Sequence, residues 1–230
     1  MIGKGKSISH GVAALEYDLA KEINGQAVAT EIARHELYGC TGAEMVQEMK
    51  PYHIDFPNVK NNCLRFEVSP SIEESATFTD ADWAELGNDF MQRMGLANHQ
   101  YIIIRHSGTE SKKEQAHLHI LANRVSLSGE LYRDNWIGKK ATEAANAIAK
   151  ERNFVQSQDI GKVNKAEIKE AMDGVLKKMQ GFDFTKFKEE LGKRGFKVRE
   201  ARASTGKLNG YYVTARSGTE YKASEIGKGY

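Results

Sequence analysis

Three histidines carry most of the chemical promise in this chain. His117-Leu118-His119 sits in the apolar run Ala116 to Val125, and His106 follows another short run of β-formers, Tyr101 to Arg105. Side chains at i and i+2 of a strand share a face, so His117 and His119 point one way while Leu118 and Ile120 point the other. A divalent cation needs two or three ligands converging from a rigid support, and imidazoles at strand spacing provide that. His-x-His alone is short enough to arise by chance, with packed core imidazoles as its plain alternative. His106 strengthens the pattern. The polar stretch Ser107 to Gln115 reads as the connection of a β-hairpin, which places His106 beside His117 and makes a three-histidine face at one end of a sheet. A cation there polarises a phosphoryl or carbonyl oxygen, or activates water. His10, His35, His53 and His99 have no comparable spacing and read as surface or core residues.

Such a site needs a nucleophile. The sequence holds no Gly-x-Ser-x-Gly, Walker loop or His-Glu-x-x-His, and neither Cys40 nor Cys63 stands by a plausible base. Two cysteines with no second pair also exclude a disulfide scaffold and a cysteine-rich zinc site. Water or a tyrosine remains.

The elements that must position these groups are legible in outline. A helix is expected from about His10 to Glu22, where Val12, Leu15 and Leu19 recur at helical spacing behind Ser9. Thr41 caps a short helix within Cys40 to Pro51, and Tyr52 to Asn62 is a polar connection. Leu64-Arg65-Phe66-Glu67-Val68 alternates with period two and ends at Pro70, the pattern of a half-buried strand. Thr79 and Asp82 form a capping box for a helix whose Trp83, Leu86, Phe90, Met91 and Met94 trace one face up to Gly95. After the hairpin, helices are expected at Gly138 to Arg152, Lys162 to Gln180 and Thr185 to Arg194, and strands at Phe196 to Arg199 and Tyr211 to Ala215. The expected fold class is α+β: an antiparallel β-sheet with flanking helices, covered on one face, with the histidine metal site on its central strands.

Composition bounds the rest. The chain has 230 residues, 40% hydrophobic and 28% charged, which excludes disorder and collagen-like repetition. Its mean hydropathy is −0.57 and its aliphatic runs are far too short for a membrane span. Met1-Ile2-Gly3-Lys4-Gly5-Lys6-Ser7 has basic residues but no apolar segment behind them, so no secretory signal is expected and a cytoplasmic location is. Charge is lopsided: residues 1–150 hold 16 Lys and Arg against 20 Asp and Glu, whereas residues 151–230 hold 17 against 11. The basic surplus near the end suits a polyanionic partner or a solvated helical surface.

With those residues in place, a family resemblance becomes visible. Tyr101-Ile-Ile-Ile-Arg-His106, then Gln115-Ala-His117-Leu-His119-Ile-Leu-Ala-Asn123-Arg-Val125, resembles the histidine motif of relaxases, the mobilisation nucleases of conjugative and mobilisable elements. These are histidine-hydrophobe-histidine endonucleases. Lys6-Ser7-Ile8-Ser9-His10-Gly11-Val12-Ala13-Ala14-Leu15-Glu16-Tyr17 is similar to the family's N-terminal motif, which carries a nucleophilic tyrosine. Cys63-Leu-Arg-Phe-Glu-Val-Ser69-Pro70 resembles its middle, DNA-contacting motif, and Gly210-Tyr-Tyr-Val with Tyr221-Lys-Ala-Ser224-Glu-Ile-Gly227 resembles the recurring close of its nuclease domain. Two departures stand out. Ser107-Gly108-Thr109-Glu110 occupies the place where members often carry an acidic residue, and the gap from His106 to His117 is long.

The resemblance implies a DNA relaxase that nicks one strand at a transfer origin. Tyr17 would attack the scissile phosphate, giving a 5′-phosphotyrosyl link that a 3′-hydroxyl later reseals, with a divalent metal ion, Mg2+ or Mn2+, held by His106, His117 and His119. Tyr38 and Tyr52 are the competing candidates, in or beside a polar connection with no matching motif around them. Implied partners are single-stranded DNA at a transfer origin, accessory mobilisation proteins and a transfer coupling protein, with no membrane. Residues 1–150 are expected to form the catalytic core, and 151–230 a basic helical and β-hairpin part of the same nuclease domain. Expected DNA-binding residues are Asn123 and Arg124, which leave the metal strand, and Arg199, Arg202 and Lys207 in the basic end. Aromatics with basic neighbours, Tyr132-Arg133, Trp136, Tyr211-Tyr212 and Arg216, suit stacking on bases. The position of Tyr17 before the histidines favours a relaxase over replication initiators and transposases of the same superfamily, which place the tyrosine after them. A non-catalytic single-strand DNA-binding module is the alternative of another class.

Overall fold

The computed structural model describes residues 1–108, 115–204, 206–227 and 229, without the side chain of Leu208. Thr109 and Glu110, named above, lie outside the described residues. The chain divides into two compact units, Met1–Ser157 and Gln158–Tyr230.

The first unit opens with strand β1 (Ile2–Ile8) and helix α1 (Gly11–Leu19). This helix stops short of the expected Glu22, because Glu22–Ile23 (β2) and Gln26–Ala27 (β3) pair across Asn24-Gly25. Both turn residues have positive φ, the backbone that an Asn-Gly hairpin turn favours. β4 (Ala29–His35) and α2 (Gly42–Met49) follow, the latter held by the expected cap Thr41, which forms a capping box with Glu44. A single 3-10 turn spans Lys50–His53. Next come β5 (Cys63–Ser69), the short α3 (Ile72–Ser75) and α4 (Asp80–Arg93), which starts at the Thr79 capping box and ends before Gly95. β6 (His99–His106), β7 (His117–Ser126) and α5 (Ile137–Glu151) complete the unit.

Five strands form one antiparallel sheet in the order β1-β5-β7-β6-β4, so the histidine strands are central. Alternation along each strand divides the apolar residues between two cores. Phe66, Val68, Ile103, Leu118 and Ile120 pack with α4 and α5, while Ile8, Cys63, Ile102, Ile104 and Leu121 pack with α1 and α2. Helices therefore cover both faces of the sheet, not the one expected. The nearly continuous apolar run of β6 permits this, since a strand buried on both sides needs apolar residues at every position.

Edge strand β1 has no counterpart among the expected elements, and its pattern shows why. Gly3 and Gly5 face α5, where a Cβ on Gly3 would stand 2.4 Å from the carbonyl oxygen of Ala141. The strand buries backbone against a close helix rather than presenting apolar side chains.

The second unit comprises α6 (Ser157–Leu176), α7 (Phe184–Lys193), β8 (Lys197–Arg202), β9 (Leu208–Thr214), β10 (Glu220–Lys222) and α8 (Ala223–Ile226). Its three-stranded antiparallel sheet has the order β10-β9-β8, and Ile168, Met172, Phe187, Leu191, Val198 and Val213 build its core. Among the described residues, no helix is long and apolar enough to cross a membrane.

Candidate active site

Strand register assembles the histidines. His106 lies directly opposite His117 in the β6–β7 pair, and His119 is two residues further along the same face. Ring centroids are 5.4 Å apart for His106 and His117, 4.4 Å for His106 and His119, and 4.9 Å for His117 and His119. One nitrogen from each ring lies within 4.8 Å of the others.

Hydrogen bonds assign the ring nitrogens. The Nε2–H of His106 donates to the carbonyl oxygen of Asp18 at 2.7 Å, which leaves its Nδ1 as the lone-pair nitrogen. Nδ1–H of His117 donates to the carbonyl of Gln115 at 3.0 Å. Its Nε2 therefore accepts from Nε2 of His119, 3.1 Å away, and a cation bound here would replace that single proton. Burial lowers the proton affinity of His106 and takes His119 down to about 2, helped by the neighbouring imidazoles, Arg65 and Lys4. Both rings are neutral at pH 7, as metal ligation requires. The donor set, three converging imidazoles and no thiolate, fits a divalent cation.

Two residues outside the expected set support this face. Asp18 is 1% exposed, and its carboxylate takes a two-pronged ion pair from Nε and Nη2 of Arg65 on β5. The same carboxylate lies 3.8 Å from Nδ1 of His119, and Arg65 Nη2 lies 3.4 Å from that nitrogen. Burial pushes the Asp18 carboxyl up from its ordinary value and Arg65 pulls it back. The only signals for them in the sequence are the polar position of Arg65 in an alternating strand and the place of Asp18 next to Tyr17.

Tyr17 lies on α1, one residue before Asp18, so its backbone is tied to the histidine face. Consecutive helical residues point about 100° apart, and its ring stands 56% exposed while Asp18 turns inward. Its hydroxyl accepts from Lys21 Nζ at 2.6 Å, with that ammonium also 4.8 Å from the ring centroid. Lys21 is close enough to His106 to lower its proton affinity. Tyr38 is exposed and donates to Glu36 at 3.1 Å, while Tyr52 belongs to the 3-10 turn.

The expected DNA contacts are placed variously. Asn123 is fully buried: its Oδ1 faces His53 Nε2 at 2.6 Å and accepts from Val125 N, while its Nδ2 donates to Gln100 Oε1 and the Met49 carbonyl. The fold thus keeps this amide inside, with its oxygen and nitrogen both engaged. Arg124 is held by Asp134, Tyr132 O and Asn61 O. In the second unit, Arg199 pairs with Glu220 and lies over the Tyr212 ring at 4.3 Å, Arg202 pairs with Glu200, and Lys207 is exposed. Trp136 is 80% exposed; Lys140 lies over the Tyr132 ring and Arg216 over Phe196.

Residues 17–154 match the family model described as relaxase, MobA/VirD2-like, nuclease domain. No curated protein matches the sequence. Among solved structures, the conjugative relaxase TrwC in complex with oriT DNA is similar in two forms. The metal-free one has 10% identity and the metal-bound one 11%; each covers 90% of this chain and 74% of its own, with a TM-score of 0.40.

Proposed function

The chain belongs to the relaxase family, in its MobA/VirD2-like nuclease domain, and from that membership we propose that it nicks and rejoins one strand of transfer-origin DNA through Tyr17. The observation that carries this is the clamp at Asp18: the residue after Tyr17 binds His106 through its carbonyl and Arg65 through its carboxylate. This supports the reading because it ties the backbone of α1, the helix that carries Tyr17, to the candidate metal face. His106, His117 and His119 would hold the ion, Mg2+ or Mn2+. When bound, it neutralises charge that builds on the non-bridging oxygens of the scissile phosphate.

The remaining chemistry belongs to the chain. The phenol oxygen of Tyr17 attacks phosphorus, the bond from phosphorus to the 3′-oxygen breaks, and the phenol proton leaves while the 3′-oxygen gains one. Lys21, already hydrogen-bonded to the Tyr17 oxygen, stabilises negative charge on it as the proton departs. The phosphotyrosyl ester conserves the energy of the broken diester, so a 3′-hydroxyl can attack it and restore the strand without ATP. The substrate is single-stranded around the nick, because in-line attack needs an exposed phosphate. Exposed Trp136 offers a stacking face, and the basic second unit, with Arg199, Arg202 and Lys207, grips the backbone as part of the same nuclease.

Covalent trapping tests this. With manganese and a suicide oligonucleotide carrying the cognate origin, the parent protein should give an adduct that mass spectrometry maps to Tyr17. Tyr17→Phe should lose the adduct and keep its DNA affinity, since one hydroxyl and no charge is removed. Tyr38→Phe and Tyr52→Phe should react as the parent does, and His117→Ala should lose manganese binding in calorimetry where His35→Ala does not. An adduct on Tyr17→Phe would overturn the assignment.

A further inference from the structure

The edge strand carries cations with no role in the reaction just described. Along Gly3-Lys4-Gly5-Lys6 the glycines turn toward α5, where a Cβ on Gly5 would meet the Phe66 ring at 2.8 Å. Alternation sends Lys4 and Lys6 to the other face, and register shows which face that is. Lys4 lies opposite Glu67, which in turn lies opposite His119; Lys6 lies opposite Arg65. A cleft of about 220 Å³ opens there, lined by Lys4, Lys6, Arg65, Glu67 and His119.

Three cations thus face one lining carboxylate. Lys4 pairs with Glu67 at 2.9 Å on the surface, an exposed pair that an incoming anion can exchange at little cost. Arg65 is oriented by Asp18, whose carboxylate balances its charge, while Lys6 is exposed and makes no ion pair among the described residues. Since His119 belongs to both this cleft and the histidine cluster, an anion in the cleft sits beside an anion at the cluster. A chain of phosphodiesters satisfies both places at once, and a lone anion satisfies one.

We propose that this cleft is a phosphate subsite that holds the backbone of single-stranded DNA next to the scissile phosphate. The inference rests on the nuclease reading above. Lys4 and Lys6 bind the backbone whatever the base sequence, because phosphate contacts position a strand without specifying it. The pattern Gly-Lys-Gly-Lys then serves two tasks at once, with glycines admitting α5 and lysines meeting the substrate.

The test is Lys4→Gln/Lys6→Gln, compared with Lys139→Gln/Lys150→Gln, two exposed lysines of α5. Binding of an oligothymidylate is followed by fluorescence anisotropy across a salt series, with EDTA present so that no strand is cut. The log–log salt slope of the Lys4/Lys6 variant should flatten by about 0.7 for each phosphate that is no longer neutralised, and that of the α5 variant should match the parent. Equal slopes for both variants would overturn the proposal. Because this readout needs no cleavage, it can fail while Tyr17 still forms its adduct, or succeed where the adduct fails.

Discussion

Asn123 and Asp18 show how differently two buried polar side chains of one unit can be used. Asn123 follows the histidines on β7, where a DNA contact is expected, yet its amide knots β7 to the 3-10 turn and to Gln100 on β6. Asn123→Ala should therefore cost about 1–3 kcal/mol of stability, the penalty of leaving buried polar partners unmatched. Oligonucleotide affinity of the folded protein should stay at the parent value. Urea unfolding alongside anisotropy checks both, and weakened affinity at unchanged stability would return Asn123 to the DNA surface. Beyond its place next to Tyr17, Asp18 carries no local signal of its role, because its partner Arg65 is 47 residues away and its neighbour His106 is 88 away. The three histidines are legible because period-two spacing and one hairpin, both local properties, suffice to gather them.

Elements announce themselves when they carry apolar periodicity or caps. α2 and α4 begin at the threonines, Thr41 and Thr79, that the sequence displays as caps. β1 and β4 lack such a signature: β1 spends its inward positions on glycine, and β4 is partly exposed along its length. At β1 the packing is a helix–strand approach too close for any Cβ. Gly3→Ala should then destabilise the protein by about 1–3 kcal/mol through overpacking against Ala141 and Ala145. Denaturant titration would show a lower midpoint at an unchanged slope, and a midpoint equal to the parent's would mean that α5 yields without strain.

At the scale of the whole molecule, charge and protonation are the readable quantities. The positive surplus of residues 151–230 falls largely in the second unit, where Arg199 and Arg202 are engaged in surface ion pairs. Such pairs are weak and exchangeable. Neutralising Arg199, Arg202 and Lys207 should flatten the salt dependence of DNA binding more than neutralising Lys165, Lys169 and Lys177, which lie on α6 and just after it. An unchanged slope for the first set would show that this face does not grip DNA. Protonation acts on the first unit. Burial lowers the proton affinity of His99, His106 and His119 below the unfolded value of about 6.5. Below that pH the unfolded chain takes up protons that the folded one refuses, so stability is full above about pH 6.5 and falls as pH drops. Urea midpoints of metal-free protein from pH 7.5 to 5.5 should decline, and a rise over that window would contradict the burial of these rings.

Sequence alone determined the α+β class, the hairpin of histidines, the capped helices and the family resemblance of the Tyr17 and histidine motifs. Each depends on residues near one another in the chain, where alternation, helical spacing and capping act directly. Only the tertiary structure decided that helices cover both sheet faces, that Asp18 clamps Tyr17's helix to His106 and Arg65, that Asn123 lies inside, and that the lysines of β1 flank His119. Those outcomes depend on which strands become neighbours in the order β1-β5-β7-β6-β4. Strand order and register follow from packing the whole unit at once, since a one-residue shift between strands would turn every histidine and lysine to the opposite face.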